Sequence, residues 1–183
     1  MSDDGEILFK HPGLMLGYYK DPESTRAAFT EDGYLRTGDK GRVDEDGFLY
    51  ITGRVKDIFK TAKGKYVAPA PIECSLARNT DIENLLFIGS GLKQPVMAVT
   101  LTAAARSKPR AEVEQQLIAD METVNAKLEP HEKIAKCVVL KDAWSIDNGL
   151  MTPTMKVKRG EVEKRYGALI EQELQVRNAV GWE

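Results

Sequence analysis

Cysteine and histidine are scarce in this 183-residue chain, two of each, and that scarcity excludes whole classes of chemistry. Cys74 and Cys137 stand in apolar segments without CxxC spacing, which predicts buried thiols rather than a disulfide, a metal site or a nucleophile. His11 and His131 are isolated, so no zinc site is expected and no metal ligand is assigned. Long apolar runs are lacking too: none approaches the roughly 18 to 20 residues a membrane-spanning helix needs. The opening Met1-Ser2-Asp3-Asp4-Gly5-Glu6 is acidic where a signal peptide is basic. The expected compartment is the cytoplasm, with attachment at a membrane surface left open. No concentrated basic face is present, which argues against a nucleic-acid binder. GxSxG, HExxH and GxGxxG are all missing, and Lys63-Gly64-Lys65 is not a phosphate loop. Phe59 stands where that loop needs its first glycine, and no Ser or Thr follows Lys65.

What is present is an ordinary globular composition, 42% hydrophobic, enough for a real core. The net charge of −2 is unevenly placed. Residues 1–50 carry 6 Lys/Arg against 11 Asp/Glu, whereas the remainder carries 20 against 17. Two units with different surroundings are expected.

In the first, Ile7–Phe9 and Leu14–Leu16 read as short strands around Pro12-Gly13. Asp21-Pro22 opens a short helix through Phe29, a capping carboxylate followed by proline at the first helical position. Asp46-Gly47 turns a β-hairpin between Lys40–Val43 and Phe48–Thr52. If Val43 pairs with Phe48, Asp39 faces Thr52 and Thr37 faces Arg54. These residues close no domain; they read as the edge of something larger.

Beyond them, Ile58–Thr61 and Tyr66–Val67 flank a second small hairpin at Ala62–Lys65. Pro69–Asn79 has a helical face, and Ile82–Ile88 and Val96–Leu101 read as paired strands. A helix after Pro109 repeats Val113, Leu117, Ile118, Met121 and Val124 at helical spacing. Ile134–Leu140 is a third strand, Lys141–Thr154 a loop, and a last helix carries Val162, Tyr166, Leu169, Ile170 and Leu174 on one side. The fold class is α+β: a small C-terminal domain of helices on a small sheet, residues 56–183, preceded by a β-rich remnant, residues 1–55.

Three positions bear chemistry. In Tyr34–Asp39, a glycine permits close backbone approach and an ionised carboxylate follows, suited to a ribose diol or simply to a turn. In Gly53–Asp57, Arg54 reads as a surface ion pair or as half of a nucleotide grip. In Thr152–Arg159, lysines at a helix start oppose the macrodipole, an odd placement of the kind found at functional sites, with a solvated basic helix start as the plain alternative.

Taken in order, Gly5–Leu8, Met15–Tyr19, Tyr34–Asp39, Gly53–Asp57 with Lys63-Gly64, and Met151–Arg159 resemble the C-terminal end of the adenylate-forming superfamily, over nearly the whole chain. The resemblance implies that Asp39 binds the ribose hydroxyls of ATP, that Arg54 supports the nucleotide, and that Lys56 is a hinge. It implies that Lys63 and Gly64 face the pantetheine arm of CoA, and that Lys156 is the adenylation lysine. Met155 stands where many members carry glycine, while Leu150–Thr154 resembles the long-chain branch, which lacks that glycine. The implied parent is a long-chain fatty acid:CoA ligase using ATP, Mg²⁺ and CoA, with fatty acid, ATP and CoA as partners. Most of its adenylation domain would precede residue 1, and this chain alone would be inactive. The alternatives are a ligase that loads a carrier protein and a standalone, non-catalytic binding module.

Overall fold

A computed structural model describes all 183 residues and divides them into two compact units, Met1–Ile58 and Phe59–Glu183; the boundary read from the sequence lies three residues earlier. No helix is long and apolar enough to cross a membrane.

The first unit is an open antiparallel sheet of β1 (Glu6–Phe9), β2 (Leu35–Val43) and β3 (Leu49–Arg54), in that order, with one helix, α1 (Pro22–Ala28). The expected cap is present: the Asp21 carboxylate accepts the Ser24 N–H at 2.9 Å, which holds the Asp21 carboxyl below its usual range. Leu14–Leu16 is not a strand. Lacking a pairing partner, it runs as a loop that closes at Tyr18–Lys20.

The β2–β3 hairpin forms, with a register different from the one read off the turn. Val43 faces Leu49, because Asp44 to Phe48 form a longer loop in which the Asp44 carboxylate accepts the N–H groups of Asp46 and Phe48. A bulge between Lys40 and Gly41 shifts the ladder again. The two shifts bring Asp39 directly opposite Arg54.

The second unit begins with a small hairpin, β4 (Phe59–Lys60) and β5 (Tyr66–Val67), followed by α2 (Pro69–Leu76). Its sheet runs β6 (Ile82–Ile88), β7 (Val96–Leu101), β8 (Lys136–Leu140), β9 (Val180–Trp182) in order, antiparallel for the first pair and parallel for the others. The parallel pairs require crossovers. These are α3 (Ala103–Arg106) with α4 (Arg110–Asn125), and α5 (Arg159–Glu173).

Alternation along the central strands splits their side chains between two cores, which is why both strands read as near-continuous apolar runs, with Thr100 and Lys136 as their polar members. Met97, Val99, Cys137 and Val139 pack with Leu76 of α2 and Leu117 and Met121 of α4. Val96, Ala98, Val138 and Leu140 pack with Val162, Tyr166 and Ile170 of α5. Cys137 is buried as expected, its thiol pushed up by the surrounding apolar packing. Cys74 is not: it lies on the outer face of α2 and is exposed.

Lys136 is fully buried at the start of β8. Its ammonium pairs with Glu173 at 3.0 Å and donates to the Asn178 side chain and the Val176 carbonyl, tying the end of α5 to β9.

Candidate functional site

In the first unit, β1, β2 and β3 assemble the residues around Asp39. The register places Leu8 opposite Arg36 and Glu6 opposite Lys40. Thr37, Gly38 and Asp39 of β2 therefore face the single residue Ile7, and they arch out of the regular ladder. Gly38 takes a left-handed φ of 72°, and a Cβ there would meet the Arg54 guanidinium at 3.2 Å. Asp39 is 3.3 Å from Arg54 across the hairpin, with both side chains partly exposed. At that exposure the ion pair contributes little stability, and its oxygens and N–H groups stay accessible to a ligand.

Beside it lies an open depression of about 780 Å³ lined by Tyr18, Arg36, Gly38, Arg54 and Lys56, among others. Lys56 sits in a 3-10 turn, Val55–Asp57, directly after β3. The expected pair, Asp39 and Arg54, is thus brought together at one end of a hairpin, next to a concave surface that carries Arg36, Arg54 and Lys56 together with Glu6 and Asp21.

In the second unit, Gly64 forms the turn between β4 and β5 with φ 77°; its N–H donates to the Thr61 carbonyl at 2.8 Å. Lys63 and Gly64 are both exposed. Lys156 lies in a tight loop rather than at a helix start, since α5 begins only at Arg159. Thr152 closes this loop twice. Its N–H donates to the Lys156 carbonyl at 2.8 Å, and its hydroxyl accepts the Lys156 N–H at 3.0 Å. Met151 bridges Val157 behind it, and both Met151 and Leu150 are buried. The Lys156 side chain is exposed with no acidic partner. A cation on a pinned turn, free of a counter-ion, is available to an anion from outside.

The segment after that loop is clamped. Arg159 pairs with Glu73 of α2 at 2.6 Å and donates to the Phe87 carbonyl at 2.7 Å, while Glu73 accepts the Phe87 N–H at 2.8 Å. Sequence reasoning missed Glu6 and this Glu73–Arg159 clamp. A lone carboxylate in a short strand reads as surface charge, and the only available hint was its strand position next to Gly5.

Comparison with known proteins decides the family. The AMP-binding enzyme C-terminal domain matches residues 56–176. The chain belongs to that family. It is 35% identical to the long-chain-fatty-acid–CoA ligase FadD15 of Mycobacterium tuberculosis, over 93% of this chain and 31% of that protein. It is 33% identical to human long-chain-fatty-acid–CoA ligase 1, over 92% and 27%. In shape it is similar to the adenylation domain of a carboxylic acid reductase from Segniliparus rugosus, a structure containing AMP and a carboxylic acid, with TM-score 0.79 and 25% identity over 93% of this chain and 28% of that one. A carboxylate reductase adenylation domain from Mycobacterium chelonae superposes with TM-score 0.80. The chain thus spans under a third of the relatives it matches.

Proposed function

We propose that the chain is the C-terminal part of an ATP-dependent long-chain fatty acid:CoA ligase. A fatty carboxylate oxygen attacks the α-phosphorus of ATP, the bond to the bridging oxygen breaks, and pyrophosphate leaves. The thiol of CoA, losing its proton, then attacks the acyl carbon and releases AMP. Asp39 grips the ribose hydroxyls and Arg54 holds the nucleotide beside it. Lys156 meets the charge that gathers between carboxylate and α-phosphate, where a preorganised cation stabilises the transition state. Lys63 and the Gly64 turn face the pantetheine arm, and the backbone at Lys56 turns between the two half-reactions. Mg²⁺ would accompany the phosphates, but no cluster of His, Cys, Asp or Glu in this chain could hold it, so no step is assigned to it here.

The observation that carries this reading is the pinned loop presenting an unpaired Lys156 in a chain 35% identical to a long-chain ligase across 93% of its length. In the parent ligase, Lys156→Ala should slow adenylation, read as acid-dependent ATP–pyrophosphate exchange, by roughly 10²–10³-fold, as expected for one transition-state donor. Thioester formation from supplied acyl-adenylate should be largely spared. Equal loss in both half-reactions refutes the assignment. The 183-residue chain alone should form no acyl-CoA.

A second reading, loading of a carrier protein, draws on the likeness to the adenylation–carrier didomain of the Segniliparus rugosus reductase, TM-score 0.78. Both acceptors end in pantetheine. Thioester yield with CoA against a phosphopantetheinyl protein separates them.

A further inference from the structure

Glu6, 6% exposed, is the only buried charged side chain of the first unit. A buried carboxylate is costly unless its oxygens are satisfied, and both are used beside Asp39. One accepts the Gly38 N–H at 3.0 Å; the other pairs with Arg36 at 3.0 Å. These two contacts bracket Thr37. The Thr37 hydroxyl in turn donates to the Ile7 carbonyl at 2.7 Å and accepts the Asp39 N–H at 3.1 Å.

The arch explains why side chains do this work. Three residues of β2, Thr37 to Asp39, stand opposite one residue of β1. Their backbone groups cannot all find ladder partners, so the N–H of Gly38 and that of Asp39 are satisfied by Glu6 and Thr37 instead. The arch's shape, and with it the direction of the Asp39 carboxylate, therefore depends on Glu6 rather than on sheet pairing alone. Ile7 anchors the start of the arch through Thr37, and Glu6 holds its middle, Gly38, and Arg36 just before it.

We propose that Glu6 is a positioning residue for nucleotide recognition: through Gly38 and Arg36 it holds the arch that aims Asp39 at the ribose diol. This rests on the reading of Asp39 as the ribose ligand. Glu6 lines the depression beside Asp39, but both its oxygens are engaged, so its part is to position rather than to bind.

The test is ribose discrimination in the parent ligase, measured as kcat/KM for ATP over that for 3′-deoxy-ATP and 2′-deoxy-ATP. This ratio does not depend on how much of a preparation is folded, so a purely structural role would leave it unchanged. Asp39→Ala sets the value for a lost grip. Glu6→Ala should raise KM for ATP and cut the ratio by about tenfold, the scale of one charge-assisted hydrogen bond, with kcat changing much less. Glu6→Gln keeps an acceptor oxygen for Gly38 but no charge for Arg36, and should fall between. Adding Glu6→Ala to Asp39→Ala should not lower the ratio further. An unchanged ratio in Glu6→Ala, with Asp39→Ala showing its loss, overturns the role of Glu6 alone. If Glu6→Ala yields no soluble enzyme, a Glu6→Gln ratio equal to wild type does the same. An unchanged ratio in Asp39→Ala overturns the assignment of Asp39, and this inference with it.

Discussion

Met155 holds a left-handed backbone, φ 59°, immediately before Lys156. A side chain with a Cβ pays roughly 1–2 kcal/mol for that conformation, and here nothing repays it, because Met155 is 62% exposed. The loop imposes the angle: the Met155 N–H donates to the Thr152 carbonyl at 2.9 Å, and Thr152 then closes on Lys156. Glycine before the lysine, the residue many family members carry, fits this angle without strain. Met155→Gly should therefore stabilise the chain by up to about 1 kcal/mol, the relief of strain less glycine's greater freedom when unfolded. Met155→Val, β-branched, should destabilise it by a similar amount. Denaturant titration of the two variants against wild type checks both signs. If Met155→Gly is the less stable of the two, the φ of this loop is not a constraint on its sequence. The departure from glycine was legible in the sequence; its cost was not, since a φ angle leaves no mark in a residue pattern.

At the level of elements, β6 is an edge strand, and the Phe87 N–H and C=O on its open side have no ladder partner. Glu73 and Arg159 supply both partners and join α2, β6 and the start of α5 at one point. Removing one member leaves a partly buried charge and a backbone group unsatisfied, on the order of 2 kcal/mol. Arg159→Met and Glu73→Met should each lower stability by about that much, and the double variant by clearly less than the sum, because the second change removes a group already stranded. Additive losses would mean that the three contacts act separately. The elements joined here were readable beforehand. Ile82–Ile88 and Val96–Leu101 carry enough apolar residues for both faces of a covered sheet, and α4 and α5 show helical spacing. Register was not readable, since the loop length after Val43 and the arch in β2 depend on side-chain acceptors, Asp44 and Glu6, rather than on alternation. Nor was β9, three residues long, whose ladder to β8 and single buried apolar side chain, Val180, leave too short a pattern to read. The candidate site divides likewise: Asp39 and Arg54 stood out beside the hairpin and Lys156 at an expected helix start, while the groups that hold them did not.

Across the whole molecule, every buried hydrophobic side chain lies between Phe59 and Val180; the first unit has none. Its β2–β3 hairpin instead exposes Phe48, Leu49, Tyr50 and Ile51 in succession, with Ile51 69% accessible. Apolar burial is the main favourable term in folding, so stability must be unequal along the chain. The second unit, with helices covering both faces of its sheet, has what an independent domain requires. The first has hydrogen bonds and a cap but no core to protect them. Amide hydrogen exchange on the intact chain should therefore show slow exchange concentrated in β7, β8 and the inward faces of α4 and α5, with amides of β1 to β3 exchanging far faster, through local opening. Phe59–Glu183 expressed by itself should unfold cooperatively and keep the near-ultraviolet signal of Trp144 and Trp182, both in that unit. Met1–Ile58 by itself should show no cooperative transition. Protection of β2 and β3 equal to that of β7 and β8 would overturn this account, because it would require a source of stability in the first unit other than a buried apolar core.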